Sequence, residues 1–128
     1  MNDVRIPMVY IAGPISIGDY LENIGKGIDF GELVAEMGLV PFIPHLDLLW
    51  ILRHPKSKSW SERLNYDEQV ILRCDAVIRI PGESRGAERE ELFAREHDIP
   101  VFRNLQELAR WAKRKLHETK NNRRARRA

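Results

Sequence analysis

Short apolar runs alternate along this chain with amphipathic stretches of helix length, leaving almost nothing for linkers, and that alternation constrains the fold more than any other feature. Met8-Val9-Tyr10-Ile11 predicts a buried strand ending in Gly13-Pro14. Tyr20 to Met37 has helical spacing through Leu21, Ile24, Ile28 and Leu33 and is closed by Gly38. Val40 to Ile43 predicts a second strand ended by Pro44, and Trp60 to Arg73 a helix. Ala76 to Ile80 then predicts a strand, Ala87 to His97 a helix, Pro100 to Phe102 a strand and Leu105 to Leu116 a last helix. Such alternation predicts a parallel sheet with helices on both faces, because parallel neighbours need a crossover and crossovers are usually helical. Residues 44–59 are the one irregular insertion, and there is no internal repeat.

With 128 residues, 43% of them apolar, the chain supports one compact domain, expected over residues 1–116. Its single cysteine, Cys74, excludes an intramolecular disulfide framework and a cysteine-based zinc site. No apolar run approaches the ~18 residues that a membrane span requires. The first residues lack a basic segment followed by a long apolar stretch, so no secretory signal is expected and a reducing cytoplasm is the default. The net charge of +2 divides unevenly. Residues 1–112 carry 13 Lys and Arg against 18 Asp and Glu, whereas residues 113–128 carry 8 against 1. The basic C-terminal tail over residues 117–128 is a docking element for nucleic acid or another polyanion on one view. Runs of this kind are more often solvated helix ends or disordered extensions, and no aromatic residues interleave the charges here.

In an open α/β sheet, ligands bind beyond the carboxyl ends of the strands. That rule selects Gly13-Pro14-Ile15-Ser16, Pro44-His45-Leu46, and the loop from Pro81 through Ser84, Arg85 and Gly86. At about 100° per residue, Ala87, Phe93 and Ala94 share one arc of their helix with Glu90 in its middle. Glu88, Arg89, Glu91, Arg95 and Glu96 fall outside that arc. Asp67 likewise interrupts the apolar stripe of Trp60, Leu64, Ile71 and Cys74, while Glu68 does not. Carboxylates on apolar faces are costly unless paired, hydrogen-bonded or used. Either acid alone is as easily explained by an arginine partner or a loop cap; two at the ligand-binding end of a sheet are harder to explain so. Two carboxylates flanking a glycosidic bond, one a nucleophile and one an acid, are the chemistry that this pattern indicates.

Tyr10-Ile11-Ala12-Gly13-Pro14, then Asp67 eight residues before Asp75 of Cys74-Asp75-Ala76-Val77, then Ser84-Arg85-Gly86 with Glu90 six after the serine, together resemble the nucleoside 2-deoxyribosyltransferase superfamily. That superfamily includes the 2'-deoxynucleoside 5'-monophosphate N-glycosidases, and the resemblance runs from about Met8 to Phe102. It implies a flavodoxin-like, Rossmann-like three-layer sandwich on a four- to five-stranded parallel sheet, with no cofactor. It implies a retaining displacement in which Glu90 attacks C1', Tyr10 orients that carboxylate, and Asp67 protonates the departing base. It also implies a homo-oligomer, a dimer or larger. Ser84 stands where the transferases typically have Asp and the monophosphate hydrolases have Ser. A hydroxyl beside Arg85 and the Gly86 amide suits a 5'-phosphate, which an Asp would repel. Against that, Pro14 stands where the hydrolases use a phosphate-binding Ser, and Ser16 where they use Arg, so the first loop is more transferase-like.

The acceptor decides the reaction, since water gives an N-glycosidase and a second base gives a transferase. The Pro81-Gly82 loop also resembles that of nucleoside-monophosphate phosphoribohydrolases, without their Gly-Gly and Thr. The alternative from a different class is a nucleotide-binding, sensing or scaffold protein that has kept the fold and lost turnover. His45 and Trp50 are candidate ligand contacts, although an aromatic in an irregular insertion more often packs on its own loop or at a subunit interface. No second metal ligand follows His45 at a recognisable spacing, and His54, His97 and His117 carry no signal.

Overall fold

A computed structural model describes residues 5–127. Four strands, β1 (Met8–Ala12), β2 (Val40–Phe42), β3 (Ala76–Arg79) and β4 (Val101–Phe102), form one parallel sheet in the order β2-β1-β3-β4. Five helices accompany them: α1 (Tyr20–Glu36), α2 (Leu48–Arg53), α3 (Trp60–Ile71), α4 (Arg85–Glu96) and α5 (Leu105–Arg127). The architecture is the expected α/β, flavodoxin-like three-layer sandwich, with four strands in its sheet. Among the described residues no helix is long and apolar enough to cross a membrane.

The pleat of β1 divides the core. Val9 and Ile11 point to one face, where they meet Val34 of α1 and Leu108, Trp111 and Ala112 of α5. Tyr10 and Ala12 point to the other, against Ile71 of α3 and Ala87 and Ala94 of α4. Central strands buried on both faces have no polar side to show, so β1 and β3 are legible as apolar runs without alternation. Ser59 and Glu62 form a reciprocal capping box at the start of α3, and the Ser84 hydroxyl accepts from the Ala87 N–H at the start of α4.

Three sequence expectations are corrected. The buried face of α1 is not the Leu21–Ile24–Ile28–Leu33 stripe: Leu21 is 73% exposed, and the residues that turn inward are Gly27, Gly31 and Val34. A Cβ on Gly27 would stand 2.5 Å from Cγ of His45, and one on Gly31 2.3 Å from Cδ1 of Ile43. The helix therefore lies against the chain after β2 at a distance that side chains would forbid. Residues 44–59 are not wholly irregular, because a 3-10 turn over Pro44–Asp47 leads into α2. That helix is only six residues long and almost continuously apolar, so it carries no period to detect. Finally, α5 does not stop at Leu116 but runs unbroken to Arg127.

The glycines of α1 give opposite expectations. Gly25 has open space around its missing Cβ, so Gly25→Ala gains helix propensity and stabilises by about 0.5–1 kcal/mol. Gly27→Ala meets the His45 ring, whose rigid atoms have no free end to swing away, and the clash outweighs the same gain by about 1–3 kcal/mol. Urea denaturation of both variants measures the two signs.

Candidate active site

Tyr10 is fully buried at the centre of β1, stacked on Phe42 of β2 with ring centroids 5.7 Å apart. Its hydroxyl donates a hydrogen bond to Oε2 of Glu90, which the second turn of α4 delivers to the sheet. Glu90 is only 6% exposed. Asp67, half-buried on α3, lies within hydrogen-bonding reach of both groups. A strand and two helices thus bring a phenol and two carboxyls to one point on the α3–α4 face of the sheet.

The electrostatics follow from burial. Desolvation pushes the Glu90 carboxyl up to about 8; the Tyr10 hydroxyl opposes that rise and the Asp67 charge adds to it. Asp67 is raised to about 6, again chiefly by desolvation, then by the nearby charge of Asp47, with the hydrogen bonds to Glu90 and Tyr10 acting the other way. Desolvation and the two acids hold the Tyr10 phenol well above its ordinary value, so it stays a neutral donor. The acid pair consequently retains a proton across neutral pH. Among the described residues no arginine or lysine forms an ion pair with Glu90 or Asp67.

The arginines go instead to Glu91, one position along. The sequence places Glu91 outside the inward arc of α4, yet it is 7% exposed. Arg95 and Arg103 reach its Oε2 at 2.9 and 2.8 Å, and Arg79 of β3 lies 3.8 Å from Oε1. Apolar residues alone mark the arc in the sequence, whereas this flank of α4 is buried by guanidinium groups. Arg79 also donates to the carbonyls of Ile80 and Gly82, so it ties the loop after β3 to α4. A lone cation inside an otherwise apolar strand was a signal for Arg79 that sequence reasoning passed over.

The loops after β1 and β3 pack against each other at their bases before they diverge. A Cβ on Gly13 would lie 2.8 Å from Cβ of Ile80, and one on Gly82, at φ +130°, would lie 2.8 Å from Pro14. Between these loops and α1 is a cleft of about 190 Å³ lined by Pro14, Ile17, Asn23, Lys26, Gly82 and Glu83, among others. Ile15 is half-buried and Ser16 exposed on the rim, and Asn23 donates to the carbonyls of Ile15 and Ile17. Tyr10, Asp67 and Glu90 do not line this cleft; they sit beneath the other side of the same loops. Gly86 follows Ser84 and Arg85 into the first turn of α4, where the exposed Arg85 guanidinium lies over the Trp60 ring at 5.7 Å.

His45 is 1% exposed, so its ring is buried behind the loop rather than presented at a surface. Neither ring nitrogen has a hydrogen-bond partner among the described residues. Burial lowers its pKa, partly offset by the Pro14 carbonyl that faces it, and keeps the ring neutral. Trp50 packs edge-on against Tyr66 at 5.5 Å beneath the Lys58 ammonium, the packing role weighed for an aromatic in this insertion. The insertion contributes Asp47, whose pKa is raised by desolvation against the pull of Arg63 and Lys58. No spacing in the sequence pointed to it. Among the described residues, no three His, Cys, Asp or Glu side chains converge as a metal ion requires.

Burial of the pair fixes the sign of a stability effect. The folded protein holds protons on these acids that the unfolded chain releases near pH 4 to 5, so their favourable contribution is full at low pH and is lost as pH rises through about 8. Glu90→Gln removes the Glu90 part of that dependence. Its Tm is expected to exceed that of the wild type by several degrees at pH 9, with a smaller difference at pH 5; thermal melts at the two pH values measure this.

No curated protein matches the chain. Residues 7–103 match the family described as Domain of unknown function (DUF4406), a stretch that includes Tyr10, Asp67 and Glu90. With well over half of its length inside that match, the chain belongs to the DUF4406 family.

Proposed function

We propose that the protein cleaves the N-glycosidic bond of a nucleoside or nucleoside 5'-monophosphate with retention at the anomeric carbon, passing the sugar to water or to a second base. One observation carries this reading: a buried glutamate without a cation, held by a tyrosine hydroxyl and accompanied by a second acid of raised pKa. An acid kept for structure is expected to take an arginine, as Glu91 does. The resemblance of the Tyr10–Pro14, Asp67 and Ser84–Glu90 segments to the nucleoside 2-deoxyribosyltransferase superfamily supports the same chemistry.

The acid pair acts in its one-proton form. The reactive arrangement has Glu90 ionised and the proton on Asp67; the Tyr10 hydrogen bond favours that charge on Glu90, against the desolvation that otherwise holds the proton there. A Glu90 oxygen attacks C1', the C1'–N bond breaks, and the electron pair leaves on the base nitrogen, which takes the Asp67 proton. In the second step Asp67, now a carboxylate, removes a proton from water or from an acceptor base. That nucleophile attacks C1' and releases Glu90. Desolvation strengthens both roles, because it makes the carboxylate reactive and the acid available near neutral pH.

At the 5' end, the Ser84 hydroxyl accepts from Ala87, leaving its own proton free to donate to a phosphate beside Arg85 and the first amides of α4. The cleft between the loops is smaller than the ~300 Å³ at which ordinary ligand pockets begin. Leu21, Ile28, Leu46, Leu49 and Leu52 are exposed on α1 and around α2. Both facts support a homo-oligomer in which a second copy covers these side chains and deepens the site.

One observation favours a second reading. Burial leaves Glu90 mostly protonated at neutral pH, and a neutral carboxyl is a hydrogen-bond donor rather than a nucleophile. On that reading the site binds a nucleotide and does not turn it over.

Chromatography of free base released from ribo- and deoxynucleosides and their 5'-monophosphates, with and without an acceptor base, separates the readings. Release is expected from the wild type, with a loss of roughly a thousandfold or more in Glu90→Ala and about 10²–10⁴-fold in Asp67→Asn. Exchange onto the acceptor marks a transferase, release to water alone a glycosidase. Binding of a nucleotide without release above the Glu90→Ala level establishes the silent binder. The pH profile of an active protein should be bell-shaped, rising through about 6 and falling through about 8, since the fully protonated pair lacks a nucleophile and the fully ionised pair lacks an acid. Tyr10→Phe removes the bond that holds the Glu90 pKa down, so its upper limb moves to higher pH while kcat falls by roughly tenfold or more.

A further inference from the structure

The last helix carries a feature that the glycosidic site does not use. Leu108, Trp111 and Ala112 are its buried positions, and Leu116 and Thr119 continue the same face half-buried. At about 100° per residue, Arg110, Lys113, Arg114, His117, Lys120 and Arg124 fall within one arc on the opposite side. All six are exposed. None of the five permanent cations among them has an acidic partner among the described residues. The acid of this segment, Glu118, pairs with Lys115 on the flank. A charge run in a frayed tail would spread in all directions; here the unbroken helix sorts it into a single stripe, about 21 Å long at 1.5 Å per residue.

We propose that this stripe docks along the phosphate backbone of duplex nucleic acid, without sequence preference. A rigid row of Lys and Arg about 21 Å long matches about six base pairs of regularly spaced phosphates. The stripe contains no Phe, Tyr or Trp and only one ring, the His117 imidazole, so it offers no succession of stacking platforms for unpaired bases, which favours a duplex over a single strand. It also contains no apolar residue of the kind that anchors a protein partner at the centre of an interface. The excess of acids over residues 1–112 repels a polyanion from the body of the protein, confining its approach to the helix. The proposal is independent of the glycosidic reading, since the stripe lies on the far side of α5 from the sheet.

The test is fluorescence anisotropy of two labelled 20-base-pair duplexes of unrelated sequence, titrated with the full chain between 50 and 200 mM KCl. Five phosphate contacts give a slope of log K against log salt of about −4.5, a loss of roughly 500-fold over that range. The two duplexes should bind equally. Each single change among Arg110→Gln, Lys113→Gln, Arg114→Gln, Lys120→Gln and Arg124→Gln should lower the slope by about 0.9. The combined variant should bind no better than background, with unchanged circular dichroism and base release. Lys56→Gln, away from the stripe, should bind as the wild type does. Three outcomes overturn the proposal. One is wild-type binding no tighter than that of the combined variant at 50 mM. The second is competition by poly-glutamate as effective per charge as by duplex, which assigns the stripe to an acidic protein. The third is a stripe-dependent oligomer in size-exclusion chromatography that does not bind duplex, which assigns it to a second copy.

Discussion

The hydrogen bond from Tyr10 to Glu90 is the contact around which the α3–α4 face of the sheet is organised. It joins the middle of the central strand to the inward arc of α4, and it satisfies a carboxyl that has left water. A buried acid without any partner would lose its charge or push its helix off the sheet. The phenol solves the packing problem and the polar problem together, because its ring stacks on Phe42 within the apolar layer while its hydroxyl reaches the acid. With Glu90 fixed from the strand, Asp67 of α3 can stand beside it at the cost of a raised pKa rather than of a lost helix.

Glu90 and Glu91 show how one turn of helix makes two different acids. They are neighbours in sequence and both buried, but they point about 100° apart. Glu91 meets guanidinium groups from β3, from its own helix and from the loop after β4. Burial alone would raise its pKa, yet the hydrogen bonds from Arg95 and Arg103 bring it below the usual carboxylate range. Glu90 meets a phenol and another acid, and its pKa rises. Glu91 is therefore an ordinary structural anion at neutral pH, and Glu90 is a group whose proton is shared. Through Arg79, the Glu91 cluster also holds the carbonyls of Ile80 and Gly82, so the same helix turn fixes the loop after β3.

The sheet and the two acids were legible because each breaks or keeps a period that physics enforces. Strands buried on both faces are apolar nearly throughout, and an acid inside an apolar stripe must have a reason to be there, which singles out Glu90 and Asp67 from the sequence. In the sequence, the role proposed for Tyr10 rests on resemblance alone, since an aromatic in a strand is ordinary. Other features were illegible for definite reasons. Glycine carries no hydropathy, so the Gly27–Gly31 face of α1 was invisible beside Leu21 and Ile28, although it is the face that touches the chain after β2. The buried flank at Glu91 was hidden because arginines cover it. His45 lies in the loop expected after β2, but the close approach of Gly27 turns its ring into the protein, and that approach is a tertiary fact.

The sheet order explains why one side of these loops holds a cleft and the other an acid pair. From β1 the chain crosses through α1 to reach β2, while α3 and α4 cover the opposite face, so the loops after β1 and β3 diverge toward different layers. Divergent loops leave a gap at the strand ends, and here the gap is narrowed by backbone packed where Cβ atoms do not fit, at Gly13 against Ile80 and at Gly82 against Pro14. The narrowing leaves polar side chains, Asn23, Lys26 and Glu83, on the α1 side and desolvated acids on the α4 side. A ligand bridging the loops would therefore meet solvated, hydrogen-bonding groups at one end and low-dielectric, reactive ones at the other. On the glycosidic reading proposed above, that asymmetry suits a molecule with one polar end to be recognised and one bond to be broken.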